Sequence, residues 1–309
     1  MREKRKNAFL WLGLLLLLTA AFLLRRQRFG GGKAAKFFPQ LQQQKIVRIV
    51  IKKEGEIKTE LKRTDSGWVV ATAANAPADE ENIKTLLDDT ALLDRSELIS
   101  TNPEKQSRLG VDEKGFEVQL WDEKEKLVAD YFVGYTGVDF NSTYVRIAGE
   151  NRVYLTPRVL TAVVNPLDWR NLTVLSFRPP DIDSWAIKGK GGQFILKRSS
   201  EGEKKWIWED NADFPLAEDK IEEALLRLSS LRASDLVMNP AEEKTGLSDS
   251  NWRYIFTFRS GMIIELTIGQ QDEEGRYYVQ TNQSPAVYLV AERVIKNLPQ
   301  QLSDLRRED

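Results

Sequence analysis

With 46 Asp and Glu but no His and no Cys among 309 residues, the side chains that could do chemistry here are carboxylates, hydroxyls, amines and indoles. That composition excludes a thiol nucleophile, a Ser-His or Cys-His pair, a haem ligand of the usual type and a thiolate or imidazole zinc site. Two carboxylates alone can hydrolyse a glycoside, one as acid and the other as base or nucleophile. Asp88 and Asp89 are neighbours, but they fall on the polar side of a predicted helix, where solvation is the expected role. Glu209, Asp210 and Asp213 could offer hard oxygen ligands to Ca²⁺; they lack the ligand order and central glycine of an EF-hand. Trp68 and Trp206 could form a stacking platform for a sugar or peptide, yet their recurrence at equivalent places argues for a core role. Gly189-Lys190-Gly191-Gly192 suggests a phosphate loop, but it misses the GxxxxGK[ST] spacing and precedes no helix, so a hairpin turn is expected. Asn141-Ser142-Thr143, Asn171-Leu172-Thr173 and Asn282-Gln283-Ser284 match the glycosylation pattern and are expected to do so by chance. Gly149 and Gly275 read as turn residues. No catalytic, cofactor-binding or metal-binding residue is assigned, and no cofactor is expected.

The elements that would position these groups begin with an apolar segment. Ala8 to Leu24 is a run of seventeen residues without a charge, flanked by Arg2, Lys4, Arg5 and Lys6 on one side and Arg25, Arg26 and Arg28 on the other. As a helix it would be about 25 Å long at about 1.5 Å per residue, near the lower limit for a bilayer core of about 30 Å. A cleaved signal peptide is the competing reading. Thr19-Ala20-Ala21 is followed by Phe22-Leu23-Leu24 and arginines, which favours an uncleaved anchor. Basic residues flank both ends, so their count does not orient the segment. A short amino-terminal tail is also the pattern of a signal anchor that exports the remainder of the chain. Gly30-Gly31-Gly32 and the polar stretch Gln40 to Gln44 then read as a spacer. Beyond the spacer, acids and bases interleave rather than cluster, which argues against a nucleic-acid partner.

Residues 46–178 and 183–309 share one series of landmarks in one order. Trp68 aligns with Trp206, and each is followed by an amphipathic helix: Ile83, Leu86, Leu87 and Leu93 in the first copy, Ile221, Ala224, Leu225, Leu228 and Leu231 in the second. NPEKQSRLGVD from Asn102 matches NPAEEKTGLSD from Asn239. Gly134 then matches Gly269, Tyr144-Val145-Arg146 matches Tyr278-Val279-Gln280, and Val153-Tyr154-Leu155 matches Val287-Tyr288-Leu289. Arg158 to Val164 and Glu292 to Leu298 read as short closing helices. Each copy is expected to hold a leading strand pair, a Trp-bearing strand, a helix, a four-strand meander and a closing helix. The fold class is therefore α+β: two tandem homologous modules, each a mainly antiparallel sheet with two helices, preceded by one transmembrane helix. The expected division is tail and anchor 1–28, flexible linker 29–44, first repeat 45–178 and second repeat 179–309. Trp169 to Pro180 is too apolar for a free linker, so packed modules are expected, with a groove near Trp169 and Trp185 as the place for a ligand.

This double pattern resembles the bacterial domain-of-unknown-function family 4340. The likeness rests on the anchor, Trp68 before Ala78-Asp79, Leu109-Gly110-Val111-Asp112, Phe132-Val133-Gly134, Tyr144-Val145-Arg146, Val153-Tyr154-Leu155 and Trp169-Arg170-Asn171-Leu172. The second copy departs from it with Leu216-Ala217 and Gln280. The resemblance implies an extracytoplasmic module beside an ABC transporter of the gliding-motility type, and it brings no catalytic residues. The expected function is a non-enzymatic interaction module in the inner (cytoplasmic) membrane, single-pass through residues 8–24, with transporter subunits as partners. A cell-envelope hydrolase using a carboxylate pair and a passive structural spacer are the alternatives.

Overall fold

The computed structural model describes residues 34–189, 192–199 and 205–307. The apolar segment 8–24, its flanking charges and Gly30–Gly32 lie outside the described residues. Among the described residues no helix is long and apolar enough to cross a membrane.

The protein is α+β, with two antiparallel sheets and few helices. The first sheet contains β1 (Ile46–Lys53), β2 (Glu56–Thr64), β3 (Gly67–Val70), β4 (Ala76–Pro77), β5 (Leu98–Ser100), β6 (Phe116–Asp122), β7 (Leu127–Thr136), β8 (Thr143–Ile147) and β9 (Val153–Thr156). Its order is β4-β3-β2-β1-β6-β7-β8-β9-β5. The second contains β10 (Ile182–Gly189), β11 (Gly192–Arg198), β12 (Trp206–Trp208), β13 (Asp235–Val237), β14 (Trp252–Phe258), β15 (Ile263–Gln271), β16 (Tyr277–Thr281) and β17 (Val287–Val290). Its order, β12-β11-β10-β14-β15-β16-β17-β13, repeats the first once β4 is set aside. The two sheets are thus repeat-like modules.

The helices are α1 (Glu80–Leu92), α2 (Gln106–Leu109), α3 (Leu160–Val164), α4 (Glu218–Leu228), α5 (Glu242–Thr245) and α6 (Glu292–Lys296). Among the described residues each sheet therefore has three helices, not the expected two. The extra ones, α2 and α5, are four-residue turns inside the Asn-Pro motifs, too short to show helical periodicity in sequence. The extra edge strands β5 and β13 are three residues each, below the length at which alternation is readable.

Burial follows the sequence periods. On β15, Ile264, Leu266 and Ile268 are buried and alternate with Glu265 and Thr267. On α4, Ile221, Ala224, Leu225 and Leu228 form the buried face, and each Leu or Ile so buried contributes about 1.5–3 kcal/mol. The two long helices start differently. Asp79 caps α1, its carboxylate accepting from the N–H groups of Glu81 (3.1 Å) and Asn82 (3.2 Å). Ala217 precedes α4 and offers no such oxygen; Glu218 of the first turn instead accepts from the N–H groups of Lys205 (2.9 Å) and Trp206 (3.1 Å).

Contacts divide the described chain into two compact units. One joins Ile51–Glu56 and Thr85–Val164 with the residues before Val47; the other joins Val47–Val50, Ile57–Lys84 and Asn165 onward. Within the second unit the apolar connector is fixed by its backbone. Trp169 O accepts from Asp79 N–H (2.8 Å), Asn171 N–H donates to Pro77 O (2.7 Å), and Val174 N–H donates to Leu231 O (2.9 Å). Arg170 adds ion pairs to Asp168 and Asp235, each at 2.7 Å.

The repeated glycines have one physical cause. A Cβ on Gly134 of β7 would lie 2.2 Å from the Leu109 carbonyl oxygen, and one on Gly269 of β15 would lie 2.0 Å from that of Thr245. In each module the strand passes against the end of the short helix with no room for a side chain. Gly134→Ala and Gly269→Ala are each expected to lose about 1–3 kcal/mol by urea unfolding. A loss below about 0.5 kcal/mol, the range of an ordinary surface substitution, would contradict this close approach.

Candidate functional site

The groups singled out by type and spacing do not converge. Trp206 is fully buried, its indole N–H donating to Glu222 (3.1 Å) and the Arg198 guanidinium lying 4.4 Å from the ring centroid. It is a core residue; Trp68 on β3 is half-buried and its carbonyl accepts from Ala78 N–H (2.8 Å). Glu209 is paired with Lys197, while Asp210 and Asp213 are exposed. Among the described residues no group of three or more carboxylates is placed to hold a metal ion. Gly189 and Gly192 pair across the β10–β11 hairpin, as a turn requires, and Lys190 and Gly191 lie outside the described residues. Asp89 is ion-paired to Arg158 (2.5 Å), and Asp88 beside it is half-buried. Gly149 and Gly275 take left-handed turn conformations, at φ 79° and 80°. In the acceptor-like tripeptides, Asn171 accepts from Thr173 N–H (3.0 Å), Asn282 accepts from Glu265 N–H (3.0 Å), and Asn141 stands exposed in the β7–β8 turn.

Trp169 and Trp185, near which a groove was expected, are themselves buried. Trp169 is 7% exposed and Trp185 0%, with Trp185 stacked on Phe256 at 5.9 Å.

The structure does assemble one polar constellation, in the first unit, that no sequence motif marks as a set. On β6 and β7, Gln119 donates its amide to Glu117 Oε1 (2.8 Å) and to Asp130 Oδ2 (3.2 Å). Lys52 Nζ stands 3.4 Å from both Glu117 oxygens. Asp130 Oδ1 is buried and accepts no hydrogen bond. Burial, the first cause, and the adjoining Glu117 carboxylate hold Asp130 above the usual aspartate range, and it is the only described carboxyl shifted upward. Arg146 on β8 is 8% exposed, its Nε donating to Val111 O (2.7 Å) and its guanidinium lying 4.3 Å from the Phe132 ring centroid. Alternation along β6 and β7 could have placed Glu117, Gln119 and Asp130 on one face. Only the cross-strand register, Gln119 opposite Asp130, makes them neighbours.

Chemically, such a carboxyl pair can hold or exchange a proton. The sequence matches the family described as Domain of unknown function (DUF4340) over residues 68–250 and 243–309. The chain belongs to the DUF4340 family. No curated protein and no solved structure matches it. In this DUF4340 chain the motifs that carried the resemblance resolve into structural positions: Gly110 is the left-handed end of α2 (φ 70°), Gly134 the close approach, Arg146 a brace between the β8 sheet face and Val111 O, and Trp169–Leu172 the connector.

The raised Asp130 has a defined pH signature. A folded carboxyl above its unfolded value contributes stability that is full below about pH 4 and is lost as pH rises through the folded value. Glu150 acts oppositely: its hydrogen bonds from Arg95 hold it low, so its contribution is present above about pH 4 and lost as pH falls through its folded value. Asp130→Asn should therefore raise the melting temperature at pH 7 and lose that advantage near pH 4. Equal shifts at both pH values would show that Asp130 is not the group that burial penalises.

Proposed function

We propose that this DUF4340 chain is a membrane-tethered, non-enzymatic interaction module, an extracytoplasmic accessory component of an ABC-type transport complex. The observation that supports it most directly is that the recurrent glycines Gly134 and Gly269 each lie against a helix-end carbonyl with no room for a Cβ, so the shared positions serve packing rather than chemistry. The shared eight-strand order supports an origin as tandem repeats 45–178 and 179–309, and the apolar segment 8–24 supports a single-pass anchor. Tethering confines the modules to two dimensions and raises their effective concentration near a membrane partner.

A second reading has one observation in its favour. The Glu117 and Asp130 carboxyls share the Gln119 amide, and Asp130 is shifted upward, as a proton-donating carboxyl would be. Neither lines the grooves formed around α4 and the terminal residues or around Phe37–Ile46, and a glycosidase must enclose its sugar.

Affinity capture of the full-length protein from gently solubilised native membranes, beside a form beginning at Lys45, tests the first reading. Recovery of ABC transporter subunits with the full-length form, and weakly with the shorter one, is the expected result. Recovery with neither removes the transporter association. Hydrolysis of cell-envelope glycans that disappears in both Glu117→Gln and Asp130→Asn, with melting retained, would move the enzyme reading ahead.

A further inference from the structure

We propose that Arg227, Arg232 and Arg293 form a binding site for a phosphate-bearing anion. The site goes beyond the interaction-module reading and stands or falls separately from it. The three arginines line one cavity of 340 Å³ in the second unit, together with Ser230 and Asn297, and no carboxylate lines it among the described residues. A phosphate is held by fixed cations and by N–H and O–H donors, and a planar guanidinium can meet two of its oxygens at once.

Three segments bring these residues together. Arg227 stands in the last turn of α4, where buried Leu225 and Leu228 fix the helix on the core. Arg232 follows the helix and is pinned at its backbone. It pairs with Thr173 in an antiparallel bridge, and the N–H groups of Val174 (2.9 Å) and Leu175 (3.2 Å) both donate to Leu231 O. Arg293 and Asn297 come from α6 and the residue after it, held through Ile295, which is fully buried.

The guanidiniums keep donors to spare. Arg293 makes no hydrogen bond or ion pair among the described residues. Arg232 gives one N–H to the Thr173 hydroxyl (3.2 Å), which leaves the rest of its fork for a ligand. Arg227 pairs with Glu223 at 2.7 Å, but the two side chains are 47% and 62% exposed, and so open a surface pair does not withhold it from an anion. Compensation of the free carbonyls at the end of α4 accounts for Arg227 alone, because that effect fades beyond the last turn. An adjoining cavity of 650 Å³ shares Arg227 and Asn297 and adds Lys220 and Lys296, with room for the remainder of the ligand. Its carboxylates are already engaged, Glu223 by Arg227 and Asp304 by Gln300 N–H (2.8 Å).

The fold does not require this charge. Counted from the paired landmarks Ile83 and Ile221, Arg227 and Arg232 fall where the first repeat has Asp89 and Asp94. Counted from Arg158 and Glu292, Arg293 falls where the first repeat has Val159. Asp89 is neutralised there by Arg158, whereas the second repeat gathers bases. In a chain with 46 acidic and 45 basic residues, three arginines around a cavity without an acid are a local excess that repels itself until an anion enters.

Titration of the full-length protein in a neutral detergent with inorganic phosphate, at constant ionic strength and followed by phosphorus NMR line width, tests the site. Saturable binding is expected. Arg293→Gln and Arg232→Gln should each weaken it about tenfold, the loss of one charge-assisted contact. Arg178→Gln and Arg259→Gln remove exposed arginines elsewhere in the same unit and should leave it within about twofold, as screened distant charges do. No saturable binding, or equal losses at these control positions, would overturn the site and reduce the arginines to general surface charge. Arg293→Gln should melt with the parent, since its side chain has no bond to lose among the described residues, and that separates lost binding from lost folding. Doping the micelles with phosphatidylglycerol distinguishes the source of the phosphate. If the dopant raises the phosphate needed for half-saturation in the parent but not in Arg293→Gln, the site takes a lipid headgroup; if it changes neither, the site takes a soluble phosphorylated compound. None of these readouts depends on a transporter partner, so failure of the site and failure of the module reading are told apart.

Discussion

The contact on which most of the first unit depends is one between backbones: Gly134 on β7 lying against the Leu109 carbonyl at the end of α2. It leaves no room for a Cβ, so the end of α2 rests directly on the strand backbone. With α2 fixed, Gly110 closes it in a left-handed conformation and sits against the ring of Tyr135. The next residue, Val111, then presents the carbonyl that receives Arg146 Nε at 2.7 Å. A buried guanidinium needs such acceptors, since an unpaired buried charge costs several kcal/mol on the order of a folding margin. Thus the close approach, the left-handed end of α2 and the Arg146 brace follow one another along Leu109 to Val111.

The second sheet repeats the order of strands and the close approach, at Gly269 and Thr245, and changes much of what is attached. Its long helix lacks the Asp79-type cap and uses Glu218 to gather the N–H groups of Lys205 and Trp206. Gln280 occupies the Arg146 position, and an ion-paired turn joins β15 to β16 where Val138 and Phe140 stand exposed between β7 and β8. The packing that forms the modules is shared; the surfaces are not. Related modules are expected to diverge in this way, because a surface position can change with little effect on stability while a core position cannot.

The carboxyl face shows why burial matters more than abundance. The chain has 46 carboxylates, and most of those with a resolved shift are held low by arginines, lysines or backbone N–H groups, as Glu150 is by Arg95. Asp130 departs because desolvation outweighs the single amide hydrogen bond from Gln119. A raised carboxyl on a sheet face is a modest instability as readily as a proton donor, and the surrounding geometry decides which.

The sequence by itself determined the elements whose signal is periodic and the membership of the long strands and helices. The alternation of Ile264, Leu266 and Ile268, the helical spacing of Ile221 to Leu228, and the order of paired landmarks at Trp68 and Trp206 made two antiparallel α+β modules legible. It also excluded thiol and imidazole chemistry outright. The four-residue helices and three-residue edge strands were not legible, because they are too short for their own pattern to repeat. Only the tertiary structure decided which residues meet across strands. Gln119 opposite Asp130 is a matter of register, the burial of Trp169 and Trp185 depends on which face is covered, and the exposure of Phe140 depends on a turn held by Asp139 and Ser142. Local sequence sets which conformations are favourable, whereas such neighbours are fixed by long-range packing.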